Sequence, residues 1–470
     1  MPSGWTVVLD VGKTLSKASL WDENGNRIGW QARSNQPIRH EGVPVLDARG
    51  IEDWLVQALS EFAALGPIGS IVPVAHGAGV ALVRAGQLQY PPLDYEWAGV
   101  STERKLYDQQ RDSYAKTGSP ALPCGLNLGI QLHWLESQES IRMDASQLLP
   151  WAQYWAWLFC GVAASEVSSL GCHTDLWRPY EHSPSDLAAR RGWADRLAPL
   201  SAANKILGTL RSRWSKATGL SSGVQIYCGL HDSNAALLAA RGHPDALGHD
   251  ATVLSTGTWF VAMRAPLLGG NEPQVNLPET RDCLVNVDVE GLPVPSSRFM
   301  GGREIELLAG ADMHSSESLS SPASQQEAAI RAIESGVMIL PSMIAGVGPY
   351  PNASHPPPDM ATDPGERRVL ALIYAALLAD VSLDLIGSRD TVFVEGRFSH
   401  APVFVQTLAS LRPASRVLIS NDDFGVAQGA LRVANVGRTV TELHRAEPLP
   451  VDLIDYRARW RAEAEKMPDS

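Results

Sequence analysis

Apolar runs interrupted by a glycine turn occur at two places along the chain. The first run is Trp5–Val11, followed by Gly12 and a second extended stretch at Lys17–Trp21. The other run is Ala251–Thr256, which resumes as an extended stretch after Gly257. β-branched and aromatic residues of this kind favour extended backbone. The pattern therefore predicts two β-hairpins, each with a glycine at its turn, roughly half a chain apart.

Helical spacing of apolar residues predicts several helices. After Ile51 the apolar residues recur at the spacing of one helix face: Trp54, Leu55, Ala58, Leu59 and Phe62. A strand pattern at Ser70–Ala75 follows and ends at His76-Gly77. Three more helical stretches are predicted, the second of them after a proline-rich surface loop at Pro349–Pro364: Leu148–Ala164, Glu366–Ile386 and Tyr456–Lys466.

A third glycine turn lies between the two hairpins. Val224–Tyr227 is typical of a strand, Gly229 of a turn, and Asp232 of the first residue in an alanine-rich helix. A carboxylate at a helix start is commonly a cap for the exposed N–H groups. It can also remain ionised and accept a proton from a substrate. Both roles of Asp232 stay open from this pattern.

Length and composition define the class of protein. At 470 residues the chain exceeds what one hydrophobic core usually supports, so two domains are expected. A formal net charge of −12 argues against a nucleic-acid partner. Five cysteines without a Cys-x-x-Cys pair fit a reduced, cytoplasmic protein. The first strand begins by residue 5, which leaves no room for a secretion signal.

Membrane attachment is not expected. The longest apolar stretch, Leu148–Ala164, is interrupted by Pro150 and Gln153. It is also shorter than the ~20 residues that a membrane span needs. A buried helix is the better interpretation of this stretch.

The hairpin turns carry the candidate chemistry. Gly12 lets the backbone N–H groups turn toward an anion. Asp10, at the end of the preceding strand, could hold a hydrated metal ion or orient a water molecule, and Lys13 and Lys17 add positive charge. A single Asp-x-Gly turn is more often only a turn. Its repetition at Gly257 favours a pair of phosphate-binding turns.

Two histidine segments remain open to more than one interpretation. His76, at a strand end, is either a structural hydrogen-bonding group or a ligand contact. His173-Thr174-Asp175 could reach a ligand, but a loop with internal hydrogen bonds is favoured.

Five motifs follow one another along the chain. They are Asp10-x-Gly12-x-Thr14-x-x-Lys17, Leu149-Pro150-x-x-Gln153-Tyr154-x-x-x-Leu158-x-x-Gly161, Gly229-x-His231-Asp232-x-x-x-Ala236, Ser255-x-Gly257-Thr258-Trp259, and Glu395-Gly396-Arg397 with Gln406 and Gly429-Ala430. In order and approximate spacing they resemble the FGGY carbohydrate kinases, on the side of the rhamnulose and fuculose kinases. The resemblance extends over most of the chain.

The resemblance implies an α/β fold of two RNase H-like domains with the actin-like ATPase architecture and a central cleft. It implies an N-terminal FGGY kinase domain at 1–246, with the sugar site and the first phosphate motif. A C-terminal FGGY kinase domain at 247–436 would bind ATP. Residues 437–470 would form a C-terminal extension whose role the sequence does not indicate.

The resemblance also implies roles for individual residues. Nucleotide and phosphate binding is implied for Asp10, Gly12, Lys13, Thr14, Lys17, Gly257, Thr258, Gly396, Arg397 and Ser399. Substrate binding is implied for His76, Gly77, Tyr95, Glu96 and Asp232. Asp232 also matches the catalytic base. Asp10 would hold Mg²⁺, which neutralises charge on the phosphates of ATP.

Two departures from the family pattern bear on the nucleotide. Lys13 replaces the small or hydroxyl residue usual in the first loop, so phosphate contacts there are expected to differ. Glu395-Gly396-Arg397 replaces a run of three glycines, so side chains are expected where the family keeps bare backbone. These departures concern nucleotide affinity and base preference more than the type of reaction.

The implied reaction is transfer of the γ-phosphate of ATP to a hydroxyl of a small ketose or polyol. The expected partner is a small-molecule sugar, with no nucleic acid and no membrane, and a homodimer is left open. One alternative is an ATPase of the same fold, which usually carries a peptide-binding appendage that this chain lacks. The other is an inactive sugar-binding regulator, against which the intact Asp10, Asp232 and Thr258 argue.

Overall fold

A computed structural model of the chain describes residues 4–141, 143–265, 276–310, 321–353, 363–420, 425–436 and 442–466. Two compact units are present. The first comprises Met1–Ala239, Val285–Val294 and Gly425–Val440, and the second comprises Ala240–Leu284, Pro295–Phe424 and Thr441–Ser470. The domain bounds proposed from the sequence, 1–246, 247–436 and 437–470, remain predictions.

The elements of the described residues are given in chain order. The strands are β1 (Trp5–Val11), β2 (Leu15–Trp21), β3 (Arg27–Ser34), β4 (Ile38–His40), β5 (Val43–Val45), β6 (Ile68–Ala75), β7 (Val80–Arg84), β8 (Gln87–Tyr90), β9 (Gln147–Pro150), β10 (Trp177–Arg178), β11 (Ser183–Pro184), β12 (Ile206–Thr209), β13 (Gln225–Tyr227), β14 (Leu230–His231), β15 (Ala251–Thr256), β16 (Phe260–Ala265), β17 (Cys283–Val287), β18 (Pro293–Phe299), β19 (Thr391–Gly396), β20 (Arg416–Ser420) and β21 (Leu443–Arg445). The helices are α1 (Ala48–Leu65), α2 (Arg104–Asp108), α3 (Tyr114–Thr117), α4 (Leu128–Ser137), α5 (Trp151–Cys160), α6 (Val167–Leu170), α7 (Asp186–Arg190), α8 (Ser212–Thr218), α9 (Asp232–Arg241), α10 (Gly301–Ala309), α11 (Pro322–Ser335), α12 (Pro364–Leu385), α13 (Pro402–Leu411), α14 (Val426–Val433) and α15 (Ile454–Glu465).

Each unit is built on a mixed sheet. The first sheet has the order β12-β13-β6-β1-β2-β3, and β14 pairs with β6 beside this path. The second sheet has the order β17-β18-β16-β15-β19-β20-β21. In both sheets an antiparallel hairpin, β1 with β2 and β15 with β16, adjoins a parallel strand, β6 or β19. Both hairpins predicted from the sequence are therefore confirmed.

Helix α1 illustrates how the apolar pattern becomes a packed element. Its buried residues are Ala48, Ile51, Leu55, Ala58, Leu59 and Phe62. They recur at helix-face spacing and pack in the same cluster as Leu9 and Ile71 of the sheet. The Asp47 side chain caps the helix by accepting the N–H of Gly50 at 2.9 Å. The predicted helix is thus confirmed, with its apolar face on the first sheet.

The tryptophan-rich stretch divides into two elements. The helix predicted within Leu148–Ala164 covers only Trp151–Cys160, because Gln147–Pro150 forms strand β9 against β7. Helix α5 is buried over nearly its whole length. Among the residues described, no helix has both the length and the apolar composition needed to cross a membrane.

The later helical predictions are also confirmed. α12 begins at Pro364 and ends at Leu385, against the predicted Glu366–Ile386. α15 begins at Ile454 and ends at Glu465, against the predicted Tyr456–Lys466. Most of the proline-rich loop predicted before α12 lies outside the described residues, because 354–362 are not among them.

Candidate active site

Three neighbouring parallel strands of the first sheet end at one row of residues. Val11 of β1 lies beside Ala75 of β6, and Ala75 lies beside His231 of β14. Each strand is followed directly by a predicted site residue: Gly12, His76 and Asp232. The carboxyl ends of parallel strands share one edge of a sheet, where ligands commonly bind in α/β folds. Sheet register thus brings together residues that are far apart in sequence.

The Gly12 turn is held by an asparagine that the motifs did not include. The N–H of Gly12 donates to the carbonyl of Leu15 at 3.0 Å and closes the turn. Asn35 Nδ2 donates to the carbonyl of Gly12 at 2.9 Å and to Ser16 Oγ at 2.8 Å. The N–H of Asn35 donates to the carbonyl of Thr14 at 2.8 Å. Asn35 therefore braces the turn, in which the predicted phosphate-binding Thr14 is exposed.

Asp10 and Lys17 are cross-strand partners in this hairpin. Their backbones lie directly opposite each other in the antiparallel pair of β1 and β2. Residues opposite each other in such a pair point to the same face of the sheet. Both side chains are partly exposed. The two predicted phosphate-site residues are therefore neighbours at the end of β1.

Lys13 is engaged by the segment predicted to contact the sugar. Its ammonium forms an ion pair and hydrogen bond with Asp94, and its Nζ lies 4.0 Å from Glu96 Oε2. Nζ also lies 5.0 Å from the ring centroid of Tyr95, a cation–π contact. Its side chain is 13% exposed and that of Asp94 is 8% exposed. Lys13, which departs from the family pattern, thus pairs with an acidic residue, Asp94, that the sequence analysis did not predict.

His76 presents an acceptor nitrogen at the end of β6. Its Nδ1 lies 2.6 Å from the carbonyl of Gly77, so this nitrogen carries the proton and donates. Nε2 is buried and has no hydrogen-bond partner among the described residues. Burial lowers the pKa of His76, which keeps the ring neutral. The ring of Tyr95 meets it edge-on at 5.5 Å, so both predicted sugar-site residues share one surface.

Asp232 opens helix α9 with one carboxylate oxygen engaged. Oδ1 accepts the N–H of Ser233 at 2.6 Å and its hydroxyl at 3.2 Å, and lies 3.3 Å from His231 Nε2. No described residue donates a hydrogen bond to Oδ2. The side chain is 26% exposed. The helix-start interpretation is confirmed, and the second oxygen is left for another group.

Gly229 and Gln153 shape the backbone turn that precedes Asp232. Gly229 has a φ of +77°, and a Cβ atom there would overlap the carbonyl oxygen of Pro73 in β6. This bend separates β13 from β14. Gln153 Nε2, on the buried helix α5, lies 3.3 Å from the carbonyl oxygen of Cys228 and 3.2 Å from that of Gly229. The Leu149–Gly161 motif therefore supports the turn that leads to Asp232.

Gly77 leaves room for a second histidine. A Cβ atom on Gly77 would lie 2.6 Å from Cys172 Sγ and 3.0 Å from His231 Nε2. A side chain at this position would displace Cys172 and crowd His231. The role of Gly77 in substrate binding stays a prediction. Burial lowers the pKa of His231, and the nearby Asp232 opposes this effect.

The Gly257 turn of the second unit packs against the start of a helix. The N–H of Gly257 donates to the carbonyl of Trp259 at 3.0 Å. A Cβ atom on Gly302, in the first turn of α10, would overlap the carbonyl oxygen of Gly257. Thr258 is exposed at the tip of the turn. The absence of a side chain at Gly302 allows this contact.

The Glu395-Gly396-Arg397 segment lies beside the same turn. Gly396 of β19 pairs with Thr256 of β15 in a parallel register. Thr256 Oγ1 donates to the carbonyl of Glu395 at 2.5 Å and accepts the N–H of Phe398 at 3.0 Å. Ser399 Oγ donates to the carbonyl of Gly396 at 2.7 Å. The predicted residues of the second unit thus occupy one edge of the second sheet.

The two side chains that replace glycines in this segment are both engaged. Glu395 Oε1 accepts the hydroxyl of Ser255 at 2.5 Å. Arg397 donates to Glu306 of α10 at 3.1 Å and lies over the ring of Phe398 at 5.3 Å. Arg397 therefore links the end of β19 to α10, which also contacts the Gly257 turn.

The His173-Thr174-Asp175 segment belongs to a buried network. Asp175 accepts hydrogen bonds from the Tyr107 hydroxyl at 2.5 Å and from Arg111 at 3.0 Å. His173 Nδ1 lies 2.8 Å from the carbonyl of Leu126. These contacts agree with the favoured interpretation of a loop with internal hydrogen bonds.

Comparison with known proteins decides the family. The chain matches the family described as "Carbohydrate kinase FGGY, C-terminal domain" over residues 248–442. It is 49% identical to a carbohydrate kinase from Novosphingobium aromaticivorans, with a TM-score of 0.90 and 99% of each chain covered. The chain belongs to the FGGY carbohydrate kinase family. No curated protein sequence matches it significantly.

As an FGGY carbohydrate kinase, the chain is a phosphotransferase with an alcohol acceptor, and it uses ATP. Two more distant solved structures are a xylulose kinase from Rhodospirillum rubrum (18% identity, TM-score 0.76, 98% of each chain) and a glycerol kinase from Plasmodium falciparum with ADP (12% identity, TM-score 0.77, 98% of each chain). Their likeness confirms the predicted α/β fold with two RNase H-like, actin-like ATPase domains. These matches do not single out the rhamnulose and fuculose kinase side of the FGGY family.

Proposed function

We propose that this FGGY kinase transfers the γ-phosphate of ATP to a hydroxyl of a small ketose or polyol, with Asp232 as the general base. The observation that carries the proposal is the shared row at the ends of β1, β6 and β14, followed by Gly12, His76 and Asp232. In this set Gly12 suits a phosphate, His76 suits a sugar hydroxyl, and Asp232 suits the proton that the hydroxyl loses.

The acceptor side of the reaction needs a base and hydrogen-bonding partners. A sugar hydroxyl is a weak nucleophile at neutral pH, so Asp232 Oδ2 would take its proton as the bond to phosphorus forms. A base in this position commonly contributes ~10²–10⁴-fold to the rate. His76 Nε2, a buried acceptor with no hydrogen-bond partner among the described residues, would accept a second hydroxyl of the sugar. Gly77, Tyr95 and Glu96 would complete the acceptor site.

The phosphate side needs positioning and charge neutralisation. The Thr14 and Thr258 hydroxyls, Lys17 and the turn N–H groups other than those of Gly12 and Gly257 would hold the transferred group. Gly257 would shape the second turn, and Gly396, Arg397 and Ser399 would flank the nucleotide. Lys13 would contribute positive charge to the phosphate site while it stays paired with Asp94.

The residues at the first turn fit Mg²⁺. Bound Mg²⁺ commonly uses one or two carboxylates and takes its other ligands from substrate phosphates and water. Asp10, a partly exposed carboxylate beside the Gly12 turn, suits that role. When bound, the ion would neutralise the charge crowded on the β- and γ-phosphates.

The acceptor class follows from the motifs and the relatives together. The sequence motifs favour rhamnulose and fuculose as acceptors. The similar solved structures include xylulose, gluconate and glycerol kinases. These five compounds define the first panel for a coupled ADP-release assay. Strong release that requires one of the neutral ketoses or polyols supports the proposal, and release that needs no acceptor indicates an ATPase.

The role of Asp232 is tested by Asp232→Asn with Asp186→Asn as its matched control. Both aspartates are first residues of a helix, so both variants lose a similar helix-start charge. We expect Asp232→Asn to lower kcat by about 10²–10⁴-fold with nucleotide binding retained. Asp186→Asn should keep its turnover. Full turnover in Asp232→Asn would remove this residue from the mechanism.

A further inference from the structure

A fully buried carboxylate, that of Glu166, lies at the start of α6 in the first unit. It is 0% exposed and accepts the N–H groups of Ser168 and Ser169 at 3.0 and 3.1 Å. It also accepts their hydroxyls at 2.6 and 3.2 Å. Four donors from two neighbouring residues hold the carboxylate, and with it the two hydroxyl groups, in one orientation.

Ser168 differs from Ser169 in having a second partner. Its Oγ accepts the backbone N–H of His231 at 3.2 Å, in addition to donating to Glu166. Because the single O–H of Ser168 points to the carboxylate, the oxygen lone pairs remain for the N–H of His231. Ser169 has the same carboxylate partner but no hydrogen bond to β14 among the described residues.

Strand β14 has few other restraints. It contains two residues, Leu230 and His231, and pairs with β6 alone among the described strands. The Gly229 bend detaches it from β13. A buried backbone N–H requires a partner, and Ser168 supplies one to the residue directly before Asp232. The contact thus connects a buried carboxylate to the backbone that carries the proposed base.

We propose that Ser168, oriented by Glu166, is a positioning residue that directs the Asp232 carboxylate toward the acceptor hydroxyl. This inference rests on the proposed function of Asp232 as the base. Without the hydrogen bond, the peptide of His231 can rotate, and Oδ2 moves with it. Misplacement of a reacting group by about 1 Å can cost ~100-fold in rate.

The test compares Ser168→Ala with Ser169→Ala. Each variant removes one hydroxyl bond to Glu166, but only Ser168→Ala removes the contact with His231. We expect Ser168→Ala to lower kcat by about 10- to 100-fold while the KM values for acceptor and ATP stay nearly constant. Ser169→Ala should keep both kcat and KM. Ser168→Thr restores the hydroxyl and should recover most of the lost kcat.

Three results would overturn the inference. One is an equal kcat in the two alanine variants, and another is a Ser168→Ala defect seen mainly in KM. The third is loss of acceptor binding, measured by calorimetry, in Ser168→Ala but not in Ser169→Ala, since that indicates that Ser168 shapes the acceptor site and does not position the base. The Asp232→Asn variant separates this failure from failure of the proposed function. If Asp232→Asn is inactive, the assignment of Asp232 as the base stands whatever the Ser168 variants show.

Discussion

Gly302 lies so close to Gly257 that a Cβ atom on Gly302 would overlap the carbonyl oxygen of Gly257. The first turn of α10 therefore rests directly on the second predicted phosphate turn. Any side chain at position 302 must move either the helix or the turn. The contact joins two segments that are 45 positions apart in the sequence.

The Gly302→Ala variant should weaken nucleotide binding. Overpacking of this kind typically costs about 1–3 kcal/mol, and here the strain falls on the turn that would hold the γ-phosphate. We expect the KM for ATP to rise by roughly tenfold while the acceptor KM changes little. Leu307→Ala, an exposed substitution on the same helix, is the control. An unchanged KM for ATP in Gly302→Ala would contradict the prediction.

The pair of Lys13 and Asp94 should show strong energetic coupling. Both side chains are largely buried, so removing one partner leaves an uncompensated charge. Lys13→Met and Asp94→Asn should each lower stability to urea, and the double variant should be more stable than the sum of the two effects predicts. We expect a coupling free energy of about 1–3 kcal/mol. The exposed pair of Lys116 and Asp186 provides a control cycle with a much smaller coupling.

Glu166 should make stability depend on pH. Burial raises the pKa of Glu166 from 4.5 to about 7 in the folded protein. The folded state thus holds a proton that the unfolded state releases, so this contribution is fully present below pH 4.5 and is lost as the pH rises through 7. Its size is about 3 kcal/mol.

The measurement is urea unfolding between pH 5 and 8, compared between the parent and Glu166→Gln. The glutamine cannot titrate, so the difference between the two stability curves should change across this range. Glu334→Gln, at an exposed position of α11, should give a curve parallel to that of the parent. Parallel curves for Glu166→Gln and the parent would show that Glu166 has no raised pKa.

Asp380 should be the strongest electrostatic contributor to the C-terminal helix. Its carboxylate is 0% exposed and accepts hydrogen bonds from Arg412, Arg457 and Arg461. Asp380→Asn would leave the buried guanidinium of Arg412 and the partly exposed ones of Arg457 and Arg461 poorly compensated, at a cost of about 3 kcal/mol. Limited proteolysis should then release α15 more readily than in Asp384→Asn, which removes a more exposed carboxylate. Equal cleavage rates would count against this assignment.

Local patterns in the sequence predict the hairpins and helices well. The secondary structure of Trp5–Val11, and of the helix around Leu55, is set by residues within a few positions. The spacing of apolar residues there therefore predicts the local structure. The N-terminal end of α5 was placed too early because Leu148 and Leu149 are apolar, but Gln147–Pro150 pairs as a strand with β7. That pairing partner lies more than 60 positions earlier in the sequence.

The residues that support the site were harder to predict. Asn35, Asp94 and Ser168 each act through contacts with one distant segment. A lone asparagine, aspartate or serine has no periodicity and no motif, so nothing local distinguishes it from a surface residue. Asp94 had a weak signal, because it directly precedes the predicted Tyr95. The missing information is the strand register that brings these segments together.

The bracing of the Gly12 turn by Asn35 has a consequence for ligand capture. A loop that is already ordered does not lose conformational freedom when an anion arrives, so more of the interaction energy appears as affinity. Association should then need little rearrangement of this segment and depend mainly on diffusional encounter. Asn35, without touching the ligand, would thus influence how quickly the nucleotide is held.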